Sequence, residues 1–379
     1  MLGASLLAEE VNGISEDLSK KLLSESQKAA GKRKPKYFQL SPLELHAVTE
    51  RLRLARPSYV ASSPELDVAH TVEFLHSVAN LKVRGSKSAF GSSDIVPNQL
   101  PFSLACCKRL RGLWMSDCDA RMLSGLTDVK ATLRRLTVHY SLTALRDILS
   151  DKESGDGPVE DMQKWASLEF CDCSFNEIRE IDPSVALMRQ LRVLNLSHNG
   201  LEGIGEQLQH LPNLEHLDLS CNAIEAVDDW HEKLGNVKRL VLKGNSIRSL
   251  EGLSKLYSLE NLDARDNSLL VVDHVWPVGR LPCLEVLRLE GNPVEGVLEY
   301  RTRVLEAFGA RAADVALDLR LATQRELDTV GVRMAISKAK LDKQRLLERT
   351  QRNINEKLKV LSSSLAGSAE PSTSCSAPS

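Results

Sequence analysis

Aliphatic and polar positions alternate through the middle of the chain in one recurring frame, L-x-x-L-x-L-x-x-N-x-L. It reads Leu191, Leu194, Leu196, Asn199 and Leu201, then Leu214, Leu217, Leu219, Asn222 and Ile224. Val237, Leu240, Leu242, Asn245 and Ile247 form a further copy, as do Leu284, Leu287, Leu289, Asn292 and Val294. The L-x-L portion has the two-residue period of a strand, which sends its leucines to one face and the residues between them to the other. Six asparagines, Asn176, Asn199, Asn222, Asn245, Asn267 and Asn292, mark the strand exits at intervals of 23, 23, 23, 22 and 25 residues. An asparagine amide carries donors and an acceptor, so each is expected to pair backbone groups that a stacked turn leaves open.

So short a period admits a strand and a compact 3₁₀ or helical return, with apolar residues such as Ile204, Leu208, Leu250 and Leu253 filling the convex side. One repeat cannot bury its own leucines, so stability must come from stacking on its neighbours. The pattern predicts an α/β leucine-rich-repeat solenoid with short parallel strands on its concave face and helical caps at both ends. Degenerate copies come first: Leu110, Leu113, Met115 and Cys118 place Cys at the asparagine position, and Leu133, Leu136, Val138 and Ser141 place Ser there. Leu168, Cys171, Cys173 and Asn176 put cysteines at leucine positions. Those two are expected in the core and not at a metal, because no second pair lies at ligand spacing. Val78, Leu81, Val83 and Ser86 form the weakest copy. The solenoid is assigned to residues 71–295, with an acidic loop inserted at 150–164.

Residues 1–70 read as a helical N-terminal flank, with one helix over 14–30 and a basic linker at Lys32-Arg33-Lys34-Pro35-Lys36. Ser41-Pro42-Leu43-Glu44 then combines an N-cap, a proline at the first helical position and a glutamate three residues after the cap. Leu43, Val48 and Leu52 of that helix are expected to face the core and cover the first repeat. Residues 296–322 are expected to form a C-terminal cap around Tyr300, Val304, Leu305 and Phe308. Residues 323–362 read as a charged helix with partly heptad apolar spacing, so a coiled coil is one expectation. The Ser/Pro/Ala-rich tail, 363–379, is expected to be disordered.

Composition narrows the function. Net charge is −2 and aromatics make up 4%, so neither a global field nor a set of stacking platforms points to nucleic acid. The start of the chain lacks the basic region of a secretory signal, and no apolar run approaches the ~20 residues of a membrane span. Eight irregularly spaced cysteines therefore suggest free thiols in a cytoplasmic chain. Asp228-Asp229-Trp230-His231-Glu232 has no accompanying nucleophile or metal motif, and Gly200, Gly203 and Gly205 are wrongly spaced for a phosphate loop. No catalytic residue, cofactor or metal ligand is assigned.

The candidate site is the set of residues between the strand leucines. One column carries Asp172, Asn195, Asp218, Val241, Asp263 and Arg288, a second His216, Arg239 and Asn261, and a third Lys243 and Arg265. Basic residues gather in the last repeats, where an acidic patch of a protein partner is expected to dock.

Strings in and around the repeats resemble the nischarin (imidazoline-receptor candidate) family. They include Lys233-Leu234-Gly235-Asn236-Val237-Lys238, Leu281-Pro282-Cys283-Leu284-Glu285 and Tyr300-Arg301-Thr302. Glu10-Val11-Asn12-Gly13-Ile14 and Glu326-Leu327-Asp328-Thr329-Val330 extend the likeness beyond the repeats, over residues 9–340. The resemblance implies a non-enzymatic cytosolic and endosome-associated scaffold. Such a scaffold joins an integrin cytoplasmic tail to a Rac-type GTPase and p21-activated-kinase signalling in cell migration. The family's phosphoinositide-binding PX domain has no counterpart in this sequence, so membrane contact is expected only indirectly. The alternative is a leucine-rich-repeat regulatory subunit of a protein phosphatase or kinase.

Overall fold

The computed structural model describes residues 37–53, 68–89, 96–150 and 158–366. Thirteen strands occur among them: β1 (Phe38–Leu40), β2 (Asn80–Arg84), β3 (Phe102–Ser103), β4 (Gly112–Ser116), β5 (Leu123–Ser124), β6 (Arg135–His139), β7 (Phe170–Asp172), β8 (Val193–Asn195), β9 (His216–Asp218), β10 (Arg239–Val241), β11 (Asn261–Asp263), β12 (Val286–Arg288) and β13 (Ala316–Leu317). β3 and β5 pair with each other, and the other eleven form one sheet in chain order. Its strand pairs are all parallel, as the leucine-rich-repeat frame requires. The register keeps that frame: Leu194, Leu217, Leu240 and Leu262 are successive Cα partners. Even the weak copy around Leu81 and Val83 joins in as β2, with both side chains buried.

The asparagine ladder sews the stack together. Asn222 donates from Nδ2 to the carbonyls of Leu196 (3.0 Å) in the preceding repeat and Leu219 (2.9 Å) in its own, while Oδ1 accepts from the Leu201 amide at 3.1 Å. Asn199, Asn245, Asn267 and Asn292 repeat this arrangement. Asn176 accepts from the amides of Ser141 and Leu142. The degenerate copies keep the bonds with weaker groups. The Cys118 thiol points at the carbonyls of Val83 (3.8 Å) and Ser116 (3.2 Å), and the Ser141 hydroxyl donates to His139 and accepts from the Cys118 amide.

Cys171 and Cys173 lie fully in the core, with their sulfurs 3.6 Å apart. Burial pushes the Cys118 thiol up to about 12, while contact with Cys171 and burial together raise Cys173. These thiols are packing groups.

At the N-terminal end, α1 (Pro42–Arg53) starts with the expected reciprocal cap. The Ser41 amide donates to Glu44 Oε2 at 2.7 Å, and the Glu44 amide donates to Ser41 Oγ at 3.2 Å. Leu43 and Val48 are buried as expected, but Leu52, in the last turn, is 42% exposed. A second helix, α2 (Val68–Ser77), leads into β2. The helix expected over 14–30 and the basic linker lie outside the described residues, as do residues 151–157 of the inserted loop.

At the other end, α3 (Tyr300–Glu306) forms where a capping helix was expected, and β13 adds an eleventh strand that no leucine frame announced. The long helix α4 (Gln324–Ala366) opens with a second reciprocal cap between Thr323 and Glu326. It is fastened by Arg301 to Glu326 (3.0 Å) and by Arg333 to Glu299 and Glu306, with Val330 buried beneath. It continues to Ala366, so residues 363–366, expected in the disordered tail, are helical, and leucine and alanine at 365 and 366 suit that state. No helix among the described residues is long and apolar enough to cross a membrane.

Candidate protein-binding face

The parallel register turns the sequence columns into rows of side chains on one concave surface. Phe170, Val193, His216, Arg239, Asn261 and Val286 stand side by side. Asp172, Asn195, Asp218, Val241, Asp263 and Arg288 form the next row. Over the central repeats these rows enclose a groove of about 330 Å³, walled by Phe170, Val193, His216, Asp218, Arg239 and Val241. Its side chains project from strands tied on both sides, so the groove is shaped before anything enters it.

Four of the expected site residues also have a structural task. Asp172, Asn195, Asp218 and Asp263 each accept, at 3.1, 2.9, 2.9 and 3.3 Å, from the backbone amide two residues on. Ser174 and Ser220 add hydroxyl bonds of 2.7 and 2.6 Å to the same carboxylates. The recurrent Asp-x-Ser or Asn-x-Ser spacing is the signature of this local bond and was legible.

The basic cluster of the last repeats is balanced from within. Arg265 grips Asp263 through Nε and Nη2 at 2.8 and 2.6 Å, and Arg288 binds Glu290 at 3.2 and 2.9 Å. Cross-strand contacts close the square: Arg288 to Asp263 at 3.8 Å and Arg265 to Glu290 at 3.9 Å. Lys243 lies 3.5 Å from Asp266. The spacing of Asp263 to Arg265 and of Arg288 to Glu290 places each pair on one face of a strand, which the column-by-column reading of charge passed over. Arg239 differs: it is exposed and has no ion pair with a described residue.

Burial alone would raise the Asp263 carboxyl, but the Arg265 hydrogen bonds and the charges of Arg265 and Arg288 outweigh it and hold the group below the usual carboxylate range. A depressed folded-state value gives stability that is present above the unfolded value of about 3.9 and is lost as pH falls through the folded one. Asp263→Asn is therefore expected to cost about 1–2 kcal/mol at neutral pH, with the difference from wild type narrowing below about pH 4. Urea midpoints of both proteins across that range check this. A pH-independent difference would contradict it.

At the opposite end of the face lies a group that the sequence columns did not assemble. Lys82 Nζ sits 3.8 Å from the Trp114 ring centroid, and His139 packs edge-on to Trp114 at 6.1 Å. His139 Nε2 is 3.2 Å from Ser174 Oγ and 3.4 Å from Asp172. Burial works to raise Asp172, but the bonds from His139 and Ser174 prevail and lower it. Among the described residues no group of three or more His, Cys, Asp or Glu is disposed to hold a metal ion.

Comparison with known proteins supports the repeat reading. The family described as "Leucine Rich repeats (2 copies)" matches residues 189–230, and "Leucine rich repeat" matches 212–269. The serine/threonine-protein kinase 11-interacting protein of Homo sapiens is 32% identical over 265 residues, covering 69% of this chain and 23% of the relative. The Mus musculus protein of that name is 32% identical over 263 residues, covering 69% and 24%. The chain thus spans about a quarter of the length of these relatives. A leucine-rich-repeat protein of Leptospira interrogans has a TM-score of 0.48 at 22% identity, covering 68% of this chain and 57% of that one. These relatives bear a name other than nischarin, so of the expected resemblance the comparisons support the leucine-rich-repeat part alone.

Proposed function

We propose that this chain is a non-enzymatic scaffold module that docks a protein kinase in the groove around Val193, His216 and Arg239. The groove itself is the observation that carries the reading. It is a preformed concavity of about 330 Å³ with apolar walls and one exposed cation, Arg239, that has no ion pair with a described residue. Such a site suits a partner that presents an apolar residue beside an acidic one. The last repeats, whose arginines are already satisfied, flank it as contact area.

Two lines favour a kinase. The relatives are named for interaction with a serine/threonine-protein kinase, and the nischarin-type strings imply p21-activated-kinase signalling. An integrin tail, a Rac-type GTPase and endosome association rest on those strings alone. The alternative, a regulatory subunit of a kinase or phosphatase, uses the same face but predicts a change in the partner's turnover.

The test uses the immobilised chain and four purified probes: serine/threonine-protein kinase 11, a p21-activated kinase, an integrin cytoplasmic tail peptide and a Rac-type GTPase. A kinase is expected to bind, and His216→Ala with Arg239→Glu to weaken it by about tenfold or more. Affinities that ignore both substitutions would remove the groove as the site. Preferential capture of the tail peptide or the GTPase would replace the kinase reading with the nischarin-type one.

A further inference from the structure

Two consecutive repeats place a bulky aromatic ring where the backbone disfavours one, and the next places a histidine there. The residue immediately before each ladder position is left-handed: φ is 55° at Asp117, 52° at Tyr140, 55° at Phe175, 53° at His198 and 55° at Cys221. It continues at 71° for Gly244, 52° for Asp266 and 76° for Gly291. Aspartate, cysteine or glycine fills the position elsewhere, and these are small or suited to that conformation. Tyrosine and phenylalanine are not, and a bulky residue held there signals a demand other than folding. Burial does not account for it, because Tyr140 is 57% and Phe175 39% exposed. The rings form a file along the rim of the sheet, with Tyr140 and Phe175 centroids 5.8 Å apart and His198 stacked on Phe175 at 4.2 Å.

This file lines a cavity of about 420 Å³ that shares no residue with the concave groove. Its charge leans acidic. Asp117, Asp119, Asp147 and Glu177 line it against Lys87 and Arg121, and Arg121 is already bound to Asp119 through two contacts of 3.0 Å. Asp147 keeps one oxygen on the amides of Thr143 and Ala144, which fixes its carboxylate at the wall.

We propose that this rim is a second docking site, for an extended arginine-bearing segment of a partner protein. A guanidinium stacks on an aromatic face and donates in its plane to carboxylates, so Tyr140 and Phe175 beside Asp117 and Glu177 meet both needs of one side chain. The same sheet already uses this chemistry internally, with Lys82 over Trp114 at 3.8 Å. An apolar segment would leave the carboxylates unpaired, and an acidic one would be repelled.

The probe is a fluorescein-labelled heptapeptide of alternating alanine and arginine, with glutamine, leucine and glutamate versions beside it, read by anisotropy on the full chain at about 0.1 M salt. The arginine peptide is expected to bind about tenfold or more tightly than the others. Tyr140→Gly with Phe175→Gly should remove that preference while holding the melting temperature, since glycine suits the left-handed backbone. Asp117→Asn with Glu177→Gln should weaken the arginine peptide several-fold, and Arg239→Glu in the concave groove should leave it unchanged. Equal binding of the glutamine or leucine peptide, or arginine-peptide affinity untouched by the glycine pair in a folded protein, would overturn the proposal.

Discussion

Asn267→Ala is expected to destabilise the array by about 3–6 kcal/mol, because one truncation leaves several buried backbone groups without partners. Asn267 donates to the carbonyls of Leu242 (2.9 Å), Ala264 (3.1 Å) and Arg265 (2.9 Å), and accepts from the Ile247 amide at 3.0 Å. The side chain is only 7% exposed, so water has little room to replace it. Asn267→Asp is the sharper variant. It keeps the shape and the acceptor but turns a carboxylate oxygen toward three carbonyls, so it should cost at least as much as alanine. Repeat arrays hold together through neighbour interfaces, and this break lies between the central repeats and the C-terminal cap. Urea unfolding followed by circular dichroism should therefore show a lower midpoint and a broadened or split transition. A single transition at the wild-type midpoint would mean that the ladder is decoration.

Gly252→Ala is expected to cost about 3 kcal/mol or more, for a reason found on the convex side. A Cβ at Gly252 would collide with the Val227 carbonyl oxygen and lie 2.6 Å from its carbon. Both are backbone atoms of the preceding repeat and cannot swing aside like the end of a side chain. The returns of these two repeats are spaced for a hydrogen atom, and one methyl group must wedge them apart. Gly203→Ala is the matched control, with nothing within 4 Å of its added Cβ. It should stay within about 0.5 kcal/mol of wild type. Thermal melts of the two variants decide the matter, and similar losses would show that glycine flexibility, not contact, sets the effect.

Much of the fold was legible because the leucine positions obey two constraints at once, strand alternation and a fixed repeat length. Val83, Cys171 and Cys173 were placed correctly by the frame although none is leucine, since any apolar side chain of moderate size fills that slot. β1 and β13 are not legible in the sequence because Phe38–Leu40 and Ala316–Leu317 lack the leucine frame and owe their existence to the neighbour they pair with. The surface was harder to read. The charges of Arg265 and Arg288 are offset by Asp263 and Glu290, within each strand and more distantly across the pair, which a single column of letters does not express. The rim at Tyr140 and Phe175 was illegible for the opposite reason: those residue types argue against the left-handed backbone they occupy.

A sheet built from near-identical rungs carries a hazard, because its end resembles its own interior and invites another copy to continue the stack. The end strand β13 answers this directly. It offers only two residues, and the chain then folds back in an antiparallel bridge from Leu317 to Arg320. The Leu317 carbonyl also accepts from Arg301 Nη1 at 2.9 Å, while Tyr300 reaches Asp318 at 3.0 Å. Arg301 and the bridge to Arg320 thus take up backbone groups of Leu317 that a further strand would need, while Tyr300 holds the Asp318 turn in place. The cap therefore leaves a further copy of the chain little strand edge to pair with at this end of the sheet.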